Sequence, residues 1–436
     1  MATTTTNVLN ALRYTYGVNK VQYVFNQESP TWANLSKVKK GMGGRGQFII
    51  PIITQNPGAF TGIAEGGALP TALAPATTEA LFALQEYVGM YDLTWKLIQD
   101  SSTDKFAFQQ ALQLLDDGLR RRVIRNLNSD LITDGTGALG FLPSAQNSSP
   151  VTITALPRME TGMVIDIVAT SDNNTKRATA VTVTGVDTAA RTWKTGGAIA
   201  STAAGDRMVI QNTLSTAAGS LHARGLLAVI DSANPPTNVT NIGAINRSTA
   251  GNEFWAAYVD SNSGTNRPLT EDILLKALDG GREKGGSIVK MFISNLALVR
   301  RYHEILAGER YFALSKPGVL EGGIGRREAG MNRQSSDNSS RFETPGDGMT
   351  PYEFSGIPWY VDPYFDPNVV VGFDTDHFFL GVGDNDVPRP ISEVFDNVPF
   401  FRQTTSATFE VAWYYQMQLL TDNPAAGIKV KDLAES

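Results

Sequence analysis

The 436 residues include no cysteine. That absence excludes disulfide staples, zinc held by thiolates and a thiol nucleophile together. Histidine is almost as scarce. His222, His303 and His377 lie far apart, with no His-Glu-x-x-His helix and no Gly-x-Ser-x-Gly elbow elsewhere in the chain. No run is long and apolar enough to span a bilayer. Met1-Ala2 and the four threonines after them lack the basic-then-apolar pattern of a secretory leader, so folding in a cytoplasm is expected. Charge is thin, at 18% of residues, and the net charge is −6. A chain that coats nucleic acid neutralises phosphates with clustered Lys and Arg. This one could enclose nucleic acid but is not built to grip it. Lysine is missing altogether between Gly41 and Trp95.

What remains is 42% hydrophobic, with 41 glycines and 21 prolines: a globular chain rich in turns, of a length for two or three domains. Low solvated charge fits a surface largely covered by partners. The most informative stretch begins at Gln47, where Gln-Phe-Ile-Ile-Pro-Ile-Ile-Thr leads into Asn56-Pro57-Gly58 and a tract of small residues ending near Thr78. A second apolar run, Leu81 to Trp95, carries the chain back. Two strands joined by such a tract are no tight hairpin. The tract has too little apolar mass for a core, so the arm is expected to pack on another molecule.

A long helix follows. Ser101 to Asp104 supply N-cap candidates, and Phe108, Leu112, Leu115, Leu119, Val123, Leu127 and Leu131 recur at three or four residues, one face of an α-helix. Gly135 suits its C-terminal cap. Roughly 30 residues at about 1.5 Å each make a rod of about 45 Å, scaffold rather than catalytic pocket. From Val151 to Gln211 the composition shifts to Thr, Val and Ala. Short β-branched runs separated by Gly, Asp and Asn read as a small β-barrel inserted into a larger domain. Beyond it the chain is mixed α/β. Thr270 should cap a helix running out at Gly280-Gly281 or shortly after, with Leu269 stapled to Leu274. Ile288 to Ile293 reads as a buried strand, Ser294 as the cap of a helix through Leu306, and 321–348 as a mobile loop. Alternation from Phe409 to Leu419 marks a long strand with one apolar face.

Three places in the chain could carry sharper chemistry. Gly41-Met42-Gly43-Gly44-Arg45-Gly46 matches a phosphate-loop pattern but precedes a strand rather than a helix, which favours a hinge. Asp374, Asp376 and His377 could hold a divalent metal, yet a satisfied turn is the better reading, with no third acid nearby. Arg120, Arg121, Arg122 and Arg125 are the densest basic cluster. They could face DNA, pair with a neighbouring subunit, or form a solvated helix face, the reading preferred here. No catalytic, cofactor or metal residue is assigned.

The order of parts resembles the major capsid proteins of tailed double-stranded DNA bacteriophages, the Hong Kong 97-type fold also used by encapsulins. The residues that carry the likeness are Ala64-Glu65-Gly66-Gly67 with Pro70, Leu93 to Ser101, Asp130-Leu131-Ile132 through Gly137, Ala223-Arg224-Gly225-Leu226-Leu227, Phe354 to Trp359 with Asp362, Gly372-Phe373-Asp374, and Phe409 to Leu420 with Asn423-Pro424. The likeness implies an α+β capsid fold. Its parts would be an N-terminal arm (1–46), an extended loop (47–95), a peripheral domain with a spine helix (96–140), an inserted β-domain with linkers (141–222), an axial domain (223–350) and a return to the periphery (351–436). It implies a non-enzymatic subunit that forms homo-hexamers and homo-pentamers around viral DNA, in a virion assembled in host cytoplasm. A portal protein and a separate scaffolding protein are implied as partners, the latter because no long charged helical extension precedes the arm. A decoration protein is left open. Some members cross-link a loop lysine to a neighbour's asparagine; the arm's missing lysine argues against that here. Two other readings stand beside it: an encapsulin-like nanocompartment, and a β-rich carbohydrate-active enzyme, which the lack of a paired-acid signature counts against.

Overall fold

The computed structural model describes residues 30–39, 47–55 and 76–94, most of 118–234, 240–313 except 287, most of 352–383, 389–390, 401–402 and 408–434, with single positions between 62 and 74. The glycine pattern at 41–46, the spine helix before Gly118 and the expected loop at 321–348 lie outside the described residues.

A helical turn, Pro30–Asn34, opens the described chain. Thr31 and Leu35 are buried, and the Trp32 ring sits 5.5 Å from that of Tyr415, so this end of the expected arm belongs to the body. Strand β1 (Ser36–Lys39) follows, then β2 (Gln47–Gln55), β3 (Ala76–Ala83) and β4 (Gln85–Thr94). β2 and β3 pair as a two-stranded antiparallel ribbon, Phe48 opposite Phe82 and Ile52 opposite Thr78. The run expected to return as one strand is therefore two. The split shows in side-chain parity. Ala80 and Phe82 point inward in β3, whereas Tyr87, Gly89, Tyr91 and Leu93 do so in β4. Leu84 absorbs the phase change, and β4 leaves the ribbon for a different sheet.

After the spine helix, whose described part ends at 132, come β5 (Ala138–Phe141), β6 (Val151–Thr152), β7 (Val164–Val168), β8 (Lys176–Asp187), β9 (Thr192–Thr195) and β10 (Arg207–Ile210). They form one antiparallel sheet in the order β5-β10-β7-β8-β9-β6. The expected barrel is not closed among the described residues, since β5 and β6 stand at opposite ends and do not pair. Register shifts along β8, with Ala180 at φ 55°, bend this long strand so that it serves both halves. Its interior is its own: Leu139, Ile165, Ile167, Val183, Trp193 and Met208 pack together.

The remaining chain supplies β11 (Tyr258–Asp260), α1 (Glu271–Gly285), β12 (Met291–Ser294), α2 (Leu296–Ala313), β13 (Tyr352–Phe354), β14 (Ile357–Val361), β15 (Val370–Phe373), β16 (Phe378–Val382), β17 (Thr408–Thr421) and β18 (Gly427–Val430). A mixed six-stranded sheet runs β11-β18-β15-β12-β14-β13, and its core takes in Leu274, Ala277, Leu298, Trp359 and Val430. A second six-stranded sheet is centred on β17, which pairs with β16 and β4. β1 lies parallel beside β16, and Arg389–Pro390 and Phe401–Arg402 add short strands. The largest core joins that sheet to the spine helix through Leu127, Leu131, Phe378, Leu380, Tyr415, Met417 and Leu419. The alternation of Phe409 to Leu419 thus becomes one 14-residue strand, as expected.

α1 passes through Gly280-Gly281 and ends shortly after, at Gly285, within the expected bound, with Gly286 left-handed at φ 65° as its cap. The two glycines are packing positions: a Cβ on Gly281 would stand 2.2 Å from Ile428 Cγ2, and one on Gly280 2.4 Å from Tyr258 Cε2. Local expectations needed correction at three points. Thr270 holds the N-cap position without a side-chain cap bond. Ser294 ends β12 instead of capping α2. Its hydroxyl accepts from Trp359 Nε1 at 2.7 Å, and Asn295 Oδ1 takes the capping role by accepting from Ala297 N at 3.1 Å. α2 itself runs on to Ala313, beyond Leu306.

Candidate assembly surfaces

The β2–β3 ribbon has two unlike faces. Inward, Phe48, Ile50 and Ile52 lean on the main core beside buried Ala80 and Phe82. Leu81 N donates to Gly243 O at 2.8 Å, which ties the ribbon's base to the body. Outward, Ile49 and Ile53 are 45% and 63% exposed, and Ile63 and Leu69 on the connecting segment are exposed too. A free two-stranded ribbon is marginal in water, and this one has an apolar face that no described residue of the chain covers.

The body sheet shows a second apolar patch. On β4 the inward residues receive the spine helix: a Cβ on Gly89 would stand 2.7 Å from Val123 Cγ2 and 3.2 Å from Leu119 Cδ1. Only glycine lets helix and sheet approach this closely. The opposite face of β4 presents Val88 and Met90, each more than half exposed, beside Glu86.

A polar knot lies where the inserted sheet leaves and rejoins the body. Asp130, at the end of the spine helix, accepts from His222 Nδ1 at 2.6 Å. The carboxylate can only accept, so Nδ1 carries the proton. Tyr87 O–H also donates to Asp130, and the phenol oxygen accepts from Ala223 N at 2.7 Å. Burial, with the Asp130 charge added, holds the Tyr87 phenol well above its ordinary pKa. The two roots touch: a Cβ on Gly137 would stand 2.3 Å from His222 Cδ2. Gly225 of the Ala223-to-Leu227 segment lies against the helix's last carbonyls, where a Cβ would meet Asp130 O at 2.3 Å. That contact is why glycine stands in that segment. Behind it, buried Arg247 donates to Val229 O and Asp231 O, and burial lowers its pKa to about 10. This knot was not legible in sequence, because Tyr87, Asp130 and His222 share no spacing.

The residues singled out from sequence fall apart into local roles. Arg125 is largely buried and pairs with Glu160, which Arg122 also approaches at 3.8 Å. Glu160 comes from the inserted segment of the same chain, so no neighbouring subunit is needed to explain the pairing, and Arg122, half exposed, keeps the solvated position expected of it; Arg120 and Arg121 lie outside the described residues. Burial and the Asp362 charge raise the Tyr364 pKa, and Arg125 opposes them. Asp362, fully buried, accepts from Asn128 Nδ2 at 3.0 Å and Tyr364 N at 2.9 Å. Asp374 and Asp376 share the Lys290 ammonium, while His377 Nδ1 donates to Asp422 Oδ1 at 2.8 Å. Lys290 and Asp422 thus supply partners to all three side chains of this turn. His303 stacks edge-on against Tyr352, centroids 4.6 Å apart.

No known protein family and no curated protein matches this sequence. Solved structures do match. The capsid asymmetric unit of cyanophage A-1(L) aligns over 95% of this chain and 96% of its own, with a TM-score of 0.51 at 12% identity. The capsid of an empty GTA particle aligns over 96% of this chain and 94% of its own, at 0.45 and 10%. The holo-SrpI encapsulin complex from Synechococcus elongatus PCC 7942 aligns over 98% and 96%, at 0.42 and 8%. The cyanophage likeness gives the fold: a mixed α+β chain, mostly strand, of phage-capsid type.

Proposed function

We propose that this chain is the major capsid protein of a tailed phage, a subunit that closes as hexamers and pentamers into an icosahedral shell around double-stranded DNA. The observation that carries the reading is the ribbon. Three cores hold the rest of the described chain, yet this element projects an apolar face that none of the described residues buries, as a surface made for another subunit would. The capsid-type fold supports it. The net charge of −6 suits a container whose contents are held by closure, not by a phosphate-binding surface. Its work is assembly, not turnover. The inserted sheet, with its adjacent roots, is an appended module on the outer face of the shell. Scaffolding and portal proteins are its expected partners during assembly, in the host cytoplasm.

The test is negative-stain microscopy and light scattering of the purified chain at rising concentration, with and without a crowding agent. Closed shells of uniform curvature are expected. A chain that stays monomeric throughout would refute the proposal, and shells that load protein cargo instead of DNA in cells would favour the nanocompartment reading. Denaturing gels of the shells should show only a monomer near 47 kDa, since the ribbon offers no lysine for an isopeptide bond.

A further inference from the structure

The edge of a sheet is a row of unpaired backbone groups, which folded chains keep short or guard with lysine and proline. Most edges of this molecule follow that rule. The inserted sheet ends in β5 and β6, of four and two residues, and the mixed sheet ends in β11 and β13, of three each. β1, four residues at one edge of the body sheet, carries Lys37 and Lys39. Pro51 interrupts β2 of the ribbon. β4 departs from the rule. It runs for ten residues, pairs with β17 along one side and with no described strand along the other, and holds neither lysine nor proline. Its charges, Glu86 and Asp92, stand toward its two ends and leave Val88, Gly89 and Met90 between them.

The side chains of β4 say which strand suits it. On the face away from the spine helix Glu86, Val88, Met90 and Asp92 alternate, and both apolar residues are more than half exposed. β17 sets Glu410 directly opposite Asp92, which concentrates negative charge at that end. At the other end Glu86 Oε1 accepts from Gln416 Nε2 at 2.9 Å, a neutral partner. Arg389 pairs with Tyr414 on the far side of β17, so the β4 side of the face stays acidic. A second copy of β4 fits this edge badly. Paired antiparallel about Gly89, the symmetric arrangement, it sets Glu86 against Asp92 at both ends, and like charges across a ladder destabilise it. β1 of a second copy has the right charge, but only Val38 lies between its lysines.

We infer that the open edge of β4 takes an extended, basic segment of a separate protein, added as a further strand. Apolar residues of that segment lie against Val88 and Met90, and a lysine or arginine lies beside Glu86 and beside Asp92. Along the segment this reads basic-x-apolar-x-apolar-x-basic, the period of a strand. Main-chain bonds to β4 carry the affinity, and the two charged ends choose the partner. The site stands whether or not the chain closes into a shell.

The probe is the end-blocked peptide Lys-Thr-Val-Thr-Val-Thr-Lys, titrated onto the full chain beside the same peptide with Glu at both ends. Fluorescence anisotropy reports affinity, and hydrogen exchange reports which amides the peptide covers. The basic peptide should bind at least about tenfold more tightly than the acidic one and slow exchange at alternate amides of β4. Glu86→Lys with Asp92→Lys should reverse the preference, and Glu86→Gln with Asp92→Asn should erase it, both with an unchanged circular dichroism spectrum. No binding of the basic peptide, equal affinity for the two peptides, or binding without protection of β4 each overturns the inference. Protection of β4 on self-association, with no peptide present, assigns the edge to a second copy and overturns it too. A chain that forms shells but fails these tests loses the site and keeps the shell. One that captures the peptide and never forms a shell keeps the site and loses the shell.

Discussion

The ribbon and the inserted sheet are both β excursions from one body, and they settle their apolar surface in opposite ways. The inserted sheet buries Trp193, Ile165, Ile167 and Met208 completely within itself. The ribbon buries one face on the body and leaves Ile49 and Ile53 in solvent. Six strands with two layers' worth of side chains make an independent core; two strands do not. The first excursion carries its own core, and the second leaves part of its apolar surface in solvent. Mutations should separate them cleanly. Damage inside the inserted sheet is a matter of folding, and damage on the ribbon's outer face is a matter of association.

The largest expected effect is at Trp193. Truncation to Ala opens a cavity at the centre of the inserted core and should cost about 3–5 kcal/mol. Unfolding followed by hydrogen exchange should place that loss in 138–210 and leave the amides of β17 unmoved. Loss of protection in both regions would show that the sheet is part of the body after all. Trp193→Phe should be far milder. The indole Nε1 is buried without a hydrogen-bond partner, so Phe sheds an unpaired donor along with some volume.

How much of this contrast sequence could reveal depended on whether a signal was local. The spine helix's apolar face and the alternation along β17 are periodicities, and Val123, Leu127 and Leu131 lie where the period put them. The inserted segment showed itself by composition, but its extent did not. Ala138–Phe141 joins its sheet by pairing with β10, some 70 residues on, and no local pattern encodes that. The split of the returning strand was legible in principle, as the parity flip at Leu84, and was hidden because Leu81 to Trp95 is apolar on both parities. Gly280-Gly281 marks the approach of the helix end, which comes shortly after at Gly285, but the contacts with Tyr258 and Ile428 that require the two glycines have no local signal. The acid partner of Arg125 was invisible because Glu160 is far along the chain and reaches it only once the inserted sheet folds back.

A middle effect concerns acid. Asp166, nearly fully buried by surface area, works against its own burial. The Lys176 ammonium at 2.7 Å and the N–H groups of Ala180 and Asn212 outweigh it and hold the carboxyl below its ordinary pKa. A group whose folded pKa is depressed gives stability that is complete above the unfolded value and is lost as pH falls through the folded one. The inserted sheet should therefore loosen below about pH 4, ahead of any acid change in the ribbon's base, which rests on Phe48, Ile50 and Phe82. Asp166→Asn should cost about 1–3 kcal/mol at neutral pH and flatten that acid dependence. An unchanged pH profile would mean that Lys176 and the two amides do not set the carboxyl's charge.

The smallest effect tests whether the module is also fastened at its side. Its roots at Gly137 and His222 are fixed by the knot on Asp130, but Glu160 reaches separately to Arg122 and Arg125 on the spine helix. Arg122 is half exposed and solvent screens that pair, so Glu160→Gln should cost no more than about 1 kcal/mol. The outcome to watch is where it is felt. A module held only at its roots would lose nothing but local order around Glu160. A module latched to the helix would show faster exchange at 125–132, in the body, from a substitution made outside it. The second is expected, because Arg125 is largely buried and lies beside Tyr364. Removing its anionic partner takes an ion pair from Arg125 at the seam between helix and sheet, where Tyr364 still holds it, so the small cost falls on the body and not on the inserted sheet.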